Sequence, residues 1–267
     1  MKNPDAYLDG TRLYGDDFSA PQIAEWYADE EEGYANLGAR DTGNYQYGYH
    51  AWNIYHAYRY LRGREFAHAL GFGSAYGDEL LPIISQIRRL TIVDSSDAFV
   101  RDRVHGIPVT YVKPSPDGRL PMADGSFDLI TCLGVLHHIP NVSFVVSELA
   151  RTLRPGGQLV MREPIVSMGD WRRVRPGLTA RERGIPLAIL QRIVHDSGLL
   201  IERQALCDFP LTRRVLSVFW THVYNSSVAS RVDAVISAAF AWNVNYHPRT
   251  AWQRLRPTST FLILKKP

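Results

Sequence analysis

Two adjacent histidines, His137 and His138, carry the strongest chemical suggestion in this chain. They follow an apolar run of strand length, 127–135, and stand where the next helix should begin, ahead of Pro140 and Asn141. A short apolar run of this kind suits a strand covered on both faces, and the carboxyl ends of such strands form the ligand crevice of an open α/β sheet. Imidazole titrates near neutrality, so a histidine delivered there is a candidate general base. A histidine can equally cap the following helix or satisfy buried backbone. Of the two, His137 is the one expected to face a reacting group, and His138 is the more structural.

Two further groups have spacing that points to a ligand. The segment Leu70-Gly71-Phe72-Gly73-Ser74-Ala75-Tyr76-Gly77 places glycines after a strand, where they permit a sharp turn and close backbone approach. Tyr76 stands where a dinucleotide fingerprint needs its third glycine, which argues against a nicotinamide dehydrogenase. The next strand ends in Asp94-Ser95-Ser96. A carboxylate in that place can accept from both hydroxyls of a ribose, although aspartate is also a favoured helix cap.

These groups need a sheet to hold them. Strands are expected at 66–70, 90–93, 109–112, 127–133, 158–162, 199–205 and 259–264, with helical segments between most of them. The alternation argues a doubly wound, mostly parallel, seven-stranded sheet. Residues 1–63 read as an N-terminal helical lid rich in aromatics, with Ser19 and Gln22 as a capping box and a second helix over 49–62 ended by Gly63. Most of those aromatics, Tyr34 and Tyr45 among them, are expected to be packing; Tyr47, Tyr49 and His50 are the candidates to line an acceptor pocket. Residues 64–267 form the main domain, with a helical insertion at 207–256 that would cap the site or form a homodimer interface.

Composition excludes several classes. Thirty basic against 27 acidic residues is too mild an excess for nucleic acid, and the arginines at 172, 173, 175, 181 and 183 are expected on a solvated loop. Cys132 and Cys207 have no metal spacing, and Cys132 reads as a small core residue. The N-terminus lacks an apolar signal segment and no run reaches transmembrane length, so the expected location is the cytoplasm.

Taken in series, LGFGSAYGDE, VDSS, LPMADGSFDLITCLGVLHHI and LARTLRPGGQLVMREP resemble the class I S-adenosylmethionine-dependent methyltransferases, and among them the type 11 small-molecule group. The resemblance runs from about residue 65 to 203 and includes the closing strand. It implies the Rossmann-like methyltransferase fold, S-adenosylmethionine as cofactor and S-adenosylhomocysteine as product. It further implies that Gly71, Phe72, Gly73 and Ser74 approach the methionine moiety, that Asp94 and Ser95 hold the ribose, and that Leu133 and Gly134 pass the sulfonium. Ala69 stands where the family has an acid, Ala75 replaces the last glycine of the short motif, and the adenine-binding aspartate is displaced, leaving Asp117 as its substitute.

The function implied is methylation of a small polar acceptor, most plausibly at a hydroxyl of a sugar or glycosylated metabolite, with a histidine base. Transfer to nitrogen or carbon of a natural product or lipid-like acceptor is the alternative, and a non-catalytic cofactor-binding module is another. A divalent ion such as Mg²⁺ bridging acceptor hydroxyls would replace the base, with Asp128 or Glu163 and a histidine as ligands. No spacing demands one.

Overall fold

Three apolar strands set the centre of the fold. β1 (Ala69–Phe72) and β2 (Leu90–Val93) are buried at every position, and β5 (Phe127–Leu133) at all but its last. Strands with no solvent-facing side require cover on both faces, and the ladder is accordingly parallel, β1 with β2 and with β5. The computed structural model describes residues 5–38, 46–219 and 221–267, with side chains described only to residue 30 in the first stretch. Tyr45 and the side chain of Tyr34 therefore lie outside the described residues.

β3 (Arg103–Val104), β4 (Ile107–Val112), β6 (Leu153–Pro164), β7 (Leu200–Cys207) and β8 (Ser259–Lys265) complete a mixed sheet of eight strands in the order β3-β4-β2-β1-β5-β6-β8-β7. The eighth strand, absent from the sequence expectation, comes from a two-residue hairpin at its edge. His105 and Gly106 both take positive φ, 47° and 86°, the backbone a two-residue hairpin loop of the favoured hand requires. β8 runs antiparallel between β6 and β7.

From β1 the chain moves outward to β2 and β4, then returns to place β5 on the other side of β1. Strand order therefore reverses between β1 and β5, and the crevice of such a sheet opens outside the carboxyl ends of those two strands. The core lies on both faces. Leu70, Phe72, Ile130 and Cys132 join α4 (Val142–Thr152) and α5 (Leu187–Asp196) on one side; Ala69, Leu129 and Val160 join α3 (His50–His56) on the other. This is the alternation of successive side chains across a pleated strand.

Several expected boundaries move. The first strand begins at Ala69 because the Asp128 carboxylate takes the N–H groups of Ala67 (2.7 Å) and His68 (3.1 Å), leaving Phe66 in an isolated bridge with Ile87. The segment after the glycine turn, Asp78–Gln86, is 3-10 rather than α-helical and contains Pro82, which has no N–H to give. The helix expected over 49–62 stops at His56, since Ala57 leaves helical geometry at φ −132°, and a 3-10 turn, Tyr58–Tyr60, follows. Ser19 does meet Gln22, its N–H donating to the amide oxygen at 3.0 Å ahead of α2 (Ala20–Gly38). The insertion holds α6 (Pro210–Leu216) and α7 (Ser227–Ala239), the second capped by Ser226.

Candidate active site

Past Phe72 the backbone turns through Gly73 at φ +64°, and a Cβ there would lie 2.5 Å from the Val135 side chain. That contact brings the two strand ends together at the switch point. Ser74 fills the space beside Gly71, its Oγ 2.5 Å from where a Cβ would stand. Ala75 holds a left-handed φ of 45° and donates its N–H to Asp94 at 2.9 Å; Ser96 donates to the other carboxylate oxygen at 3.2 Å. Burial raises the Asp94 pKa, and these backbone N–H groups oppose it. Phe72, Gly73, Asp94, Ser95, Phe99 and Gly134 border a cleft of about 770 Å³, its open mouth included. Apolar rings, the Asp94 carboxylate and a close backbone turn suit a nucleoside.

The loop beyond β5 is held by two buried charges from opposite sides. Glu163, on β6, is fully buried and accepts from the N–H groups of Val135 (2.9 Å), Leu136 (2.8 Å) and His137 (3.2 Å). Its carboxylate also meets His137 Nδ1 at 2.8 Å. Burial alone would raise its pKa, but His137 and the backbone donors together hold it below the usual carboxylate range. Arg183 takes the carbonyls. Its Nε donates to Tyr14 (2.9 Å), Nη1 to Leu136 (3.1 Å) and His137 (3.0 Å), and Nη2 to Ile139 (2.7 Å) and Pro140 (3.2 Å). Trp26 stacks beside this guanidinium and donates its indole N–H to the His138 carbonyl at 2.7 Å. Backbone with only one 3-10 turn of its own, Leu136–His138, thus has its remaining polar groups answered one by one.

The two imidazoles sit side by side, ring centres 4.1 Å apart, yet serve different spaces. His138 borders the nucleoside cleft, with Nδ1 3.1 Å from Glu30. His137 borders a second basin of about 1540 Å³, open mouth included. Burial, with His138 adding to it, lowers the His137 pKa although Glu163 and Glu182 pull the other way. Its Nε2 stands 3.6 Å from Glu182. Gly134, at φ +79°, borders both spaces. Tyr49, Trp52 and Tyr224 form an aromatic wall of the basin, with Trp52 and Tyr224 stacked at 4.1 Å; Arg162, Arg213 and His222 also line it.

The structure brings Phe72, Gly73, Asp94, Ser95, Gly134 and His138 to one cleft and His137 and Tyr49 to the other. Gly71 and Ser74 lie behind the turn, and the Leu133 carbonyl accepts from Arg162 at 3.2 Å. Of the other expected residues, Asp117, Tyr47, His50 and Asp128 lie apart from the two spaces. Asp117 does not border the cleft; it turns back to accept the Arg119 N–H at 3.0 Å. Tyr47 and His50 face each other and border neither space, and the Tyr47 hydroxyl accepts from Asn53 at 2.8 Å. Asp128 lies at the amino end of β5, the end opposite His137 and His138, where it accepts the N–H groups of Ala67 and His68. Glu163 is already committed to backbone donors. The arginine-rich loop is not uniformly solvated: Arg183 is fully buried and Arg181 pairs with Glu25 and Asp29.

Sequence reasoning missed Glu30, Glu182 and the roles of Glu163 and Arg183. Among the described residues, the ligand atoms of His137, His138 and Glu182 lie within 4.8 Å of one another. His137 in this group is also held by Glu163.

Comparison with known proteins agrees with this geometry. Residues 69–161 match the methyltransferase-domain family of type 11. A ubiquinone biosynthesis O-methyltransferase of Dechloromonas aromatica is 41% identical over 56 residues, 21% of this chain and 24% of that one. The chain spans about a third or less of the length of the curated relatives it matches first. Among solved structures, the Burkholderia thailandensis 1,6-didemethyltoxoflavin-N1-methyltransferase, with bound 1,6-didemethyltoxoflavin and S-adenosylhomocysteine, aligns at a TM-score of 0.54 and 17% identity over 93% of this chain and 91% of that one. The [4+2]-cyclase SpnF aligns at 0.56 and 16% identity over 94% and 97%. At such identities the structures speak to the fold alone, and that fold houses more than one reaction. Over residues 69–161 the chain carries a methyltransferase domain that matches the type 11 family.

Proposed function

We propose that this chain transfers a methyl group from S-adenosylmethionine to a hydroxyl oxygen of a small polar acceptor, a sugar or glycosylated metabolite, with His137 as general base. One observation carries the proposal. The nucleoside cleft and the basin meet at Gly134, and His137 stands on the basin side with its Nδ1 held by a buried carboxylate.

The donor set fits the cofactor. Asp94 would accept from the ribose hydroxyls, Phe72, Phe99 and Val135 would enclose the base and sulfur, and Gly73 and Gly134 keep side chains out of the path. When bound, S-adenosylmethionine supplies an electrophilic methyl carbon. Everything else is positioning and proton removal.

An imidazole whose Nδ1–H is given to Glu163 carries its lone pair on Nε2. Its lowered pKa keeps that lone pair available at neutral pH. A hydroxyl beside Gly134 can pass its proton to Nε2 as its oxygen attacks. Glu163 and Glu182 then flank the imidazolium and stabilise it. The stacked rings of Trp52 and Tyr224, with Tyr49 beside them, offer flat apolar faces of the kind on which a sugar ring lies.

Calorimetry and acceptor screening by mass spectrometry test the proposal. Asp94→Ala should weaken S-adenosylmethionine binding at least tenfold. His137→Gln should keep binding and lose transfer to glycosides. Wild-type affinity in the first variant, or wild-type transfer in the second, would sink it.

A further inference from the structure

Two arginines with little or no exposure flank the loop at 134–140, and they differ in how far their donors are used. A guanidinium has five N–H donors. Arg183 makes five hydrogen bonds, every one to a backbone carbonyl. Arg162 makes two, both long and both to neutral acceptors: Nη1 to Asn53 Oδ1 at 3.3 Å and Nη2 to the Leu133 carbonyl at 3.2 Å. Among the described residues, no carboxylate lies within ion-pair distance of it. Its guanidinium is boxed by aromatic faces instead, 4.6 Å from the Tyr49 ring centre, 5.1 Å from Trp52 and 5.8 Å from Phe261.

A charge withdrawn from water is costly unless it is paired, and cation–π contact does not replace an anion. Arg162 borders the basin, and it sits at the seam with the nucleoside cleft, since a Cβ on Gly134 would lie 3.1 Å from its Nη2. The acidic groups of the basin are engaged elsewhere. Glu163 answers backbone N–H groups, and Asp208 accepts from the hydroxyls of Tyr224 (2.6 Å) and Thr258 (2.7 Å). Arg213, also on the basin wall, differs from Arg162 in having a carboxylate partner, Asp208, at 3.6 Å.

We infer that Arg162 is a carboxylate-receiving residue of this site. Its planar fork matches a carboxylate in two parallel hydrogen bonds, which the present neutral partners do not supply. The carboxylate can arrive from either side of Gly134, as an acidic group of the acceptor or as the amino-acid tail of the cofactor. The inference deepens the methyltransferase reading and rests on it.

Calorimetry on the full chain separates the two sources through paired probes. S-adenosylhomocysteine carries the amino-acid tail, whereas 5′-methylthioadenosine lacks it. Benzoate and benzamide, titrated into protein saturated with S-adenosylhomocysteine, differ only in the acid. In Arg162→Met the affinity ratio of charged to neutral probe should fall roughly ten- to hundredfold, the range for a hydrogen-bonded ionic group. A fall in the first ratio assigns the cofactor tail; a fall in the second assigns the acceptor. Wild-type ratios in both pairs would overturn the inference. Arg162→Lys, which keeps the charge and loses the fork, should lower the same ratio and takes the place of the methionine variant if that does not fold. Failure of the wild-type protein to bind S-adenosylhomocysteine at all would instead refute the underlying methyltransferase reading.

Discussion

Glu163→Gln perturbs the site at one pair of atoms, and its consequences follow from the distances. In the native chain Oε1 accepts from Val135 (2.9 Å) and Leu136 (2.8 Å), while Oε2 accepts from the His137 N–H (3.2 Å) and Nδ1 (2.8 Å). A glutamine has one acceptor and one donor. If its oxygen stays with Val135 and Leu136, its NH₂ faces His137, and the ring must turn Nδ1 into an acceptor and carry its proton on Nε2. That tautomer has no lone pair toward the basin. In the reverse orientation two buried backbone N–H groups face an NH₂ group. Leaving two buried donors unanswered costs about 2–6 kcal/mol at about 1–3 each, a large part of a domain's stability of about 5–15 kcal/mol. Turnover should fall by about 10²–10⁴, the usual worth of a general base, while S-adenosylmethionine affinity stays near that of the wild type. The Glu163 carboxylate also raises the His137 pKa, so its removal should move the His137 titration, followed by NMR of the ring Cε1–H, to lower pH. A destabilisation under about 1 kcal/mol together with an unmoved titration would refute the reasoning.

Glu79, buried behind the glycine turn, is pushed up to about 7 from an ordinary 4.5 by burial. The folded chain then holds a proton that the unfolded chain has released, so this stabilisation is complete below about 4.5 and lost as pH rises through about 7; unfolding free energy should drop by about 3 kcal/mol across that window, and denaturant titrations of Glu79→Gln should show the drop abolished. Ala75 holds a left-handed backbone at φ 45°, so Ala75→Gly should raise stability by about 1 kcal/mol, measured by the same titrations. Gly73→Ala should weaken S-adenosylhomocysteine binding, because its Cβ would meet Val135 at 2.5 Å, and Val135→Ala in the same chain should restore part of it in calorimetry. Arg183→Met removes five hydrogen bonds, those of Tyr14 and Ile139 being to carbonyls that take no other backbone donor among the described residues, and should destabilise by about 3 kcal/mol, seen as a lower denaturation midpoint.

What the sequence shows and hides divides along a physical line. β1, β2 and β5 are legible because burial on both faces leaves no polar alternation, and the glycine turn is legible because only small residues fit where Val135 closes on Gly73. Asp94 is legible because its role depends on standing at the end of β2, a local fact. Glu163 and Arg183 are not. Their backbone partners in the loop lie 26 to 28 and 43 to 47 residues away, and a further partner of Arg183, the Tyr14 carbonyl, lies 169 residues away; backbone groups leave no trace in side-chain pattern. Arg183 sits among arginines that do face water, which disguises it. The basin wall at 213–224 is hidden for a similar reason: nothing local to Arg213, His222 or Tyr224 announces that they will close on Trp52.

The loop at 134–140 shows why the hidden residues carry so much of the site. It holds a single turn of 3-10 helix, Leu136–His138, in which the N–H groups of His138 and Ile139 reach the carbonyls of Val135 and Leu136. One short turn leaves most of the loop's backbone groups without a partner of their own, and such groups can be buried only if each finds one elsewhere. Glu163 supplies the acceptor and Arg183 the donors, and each does so as a full charge, which binds peptide dipoles more strongly than a neutral group would. The acid that answers the N–H groups is also the one that sets the tautomer of His137. Backbone geometry and the protonation state of the base are therefore one variable here. A change that loosens the loop should alter the titration of His137, and a change in its charge should loosen the loop.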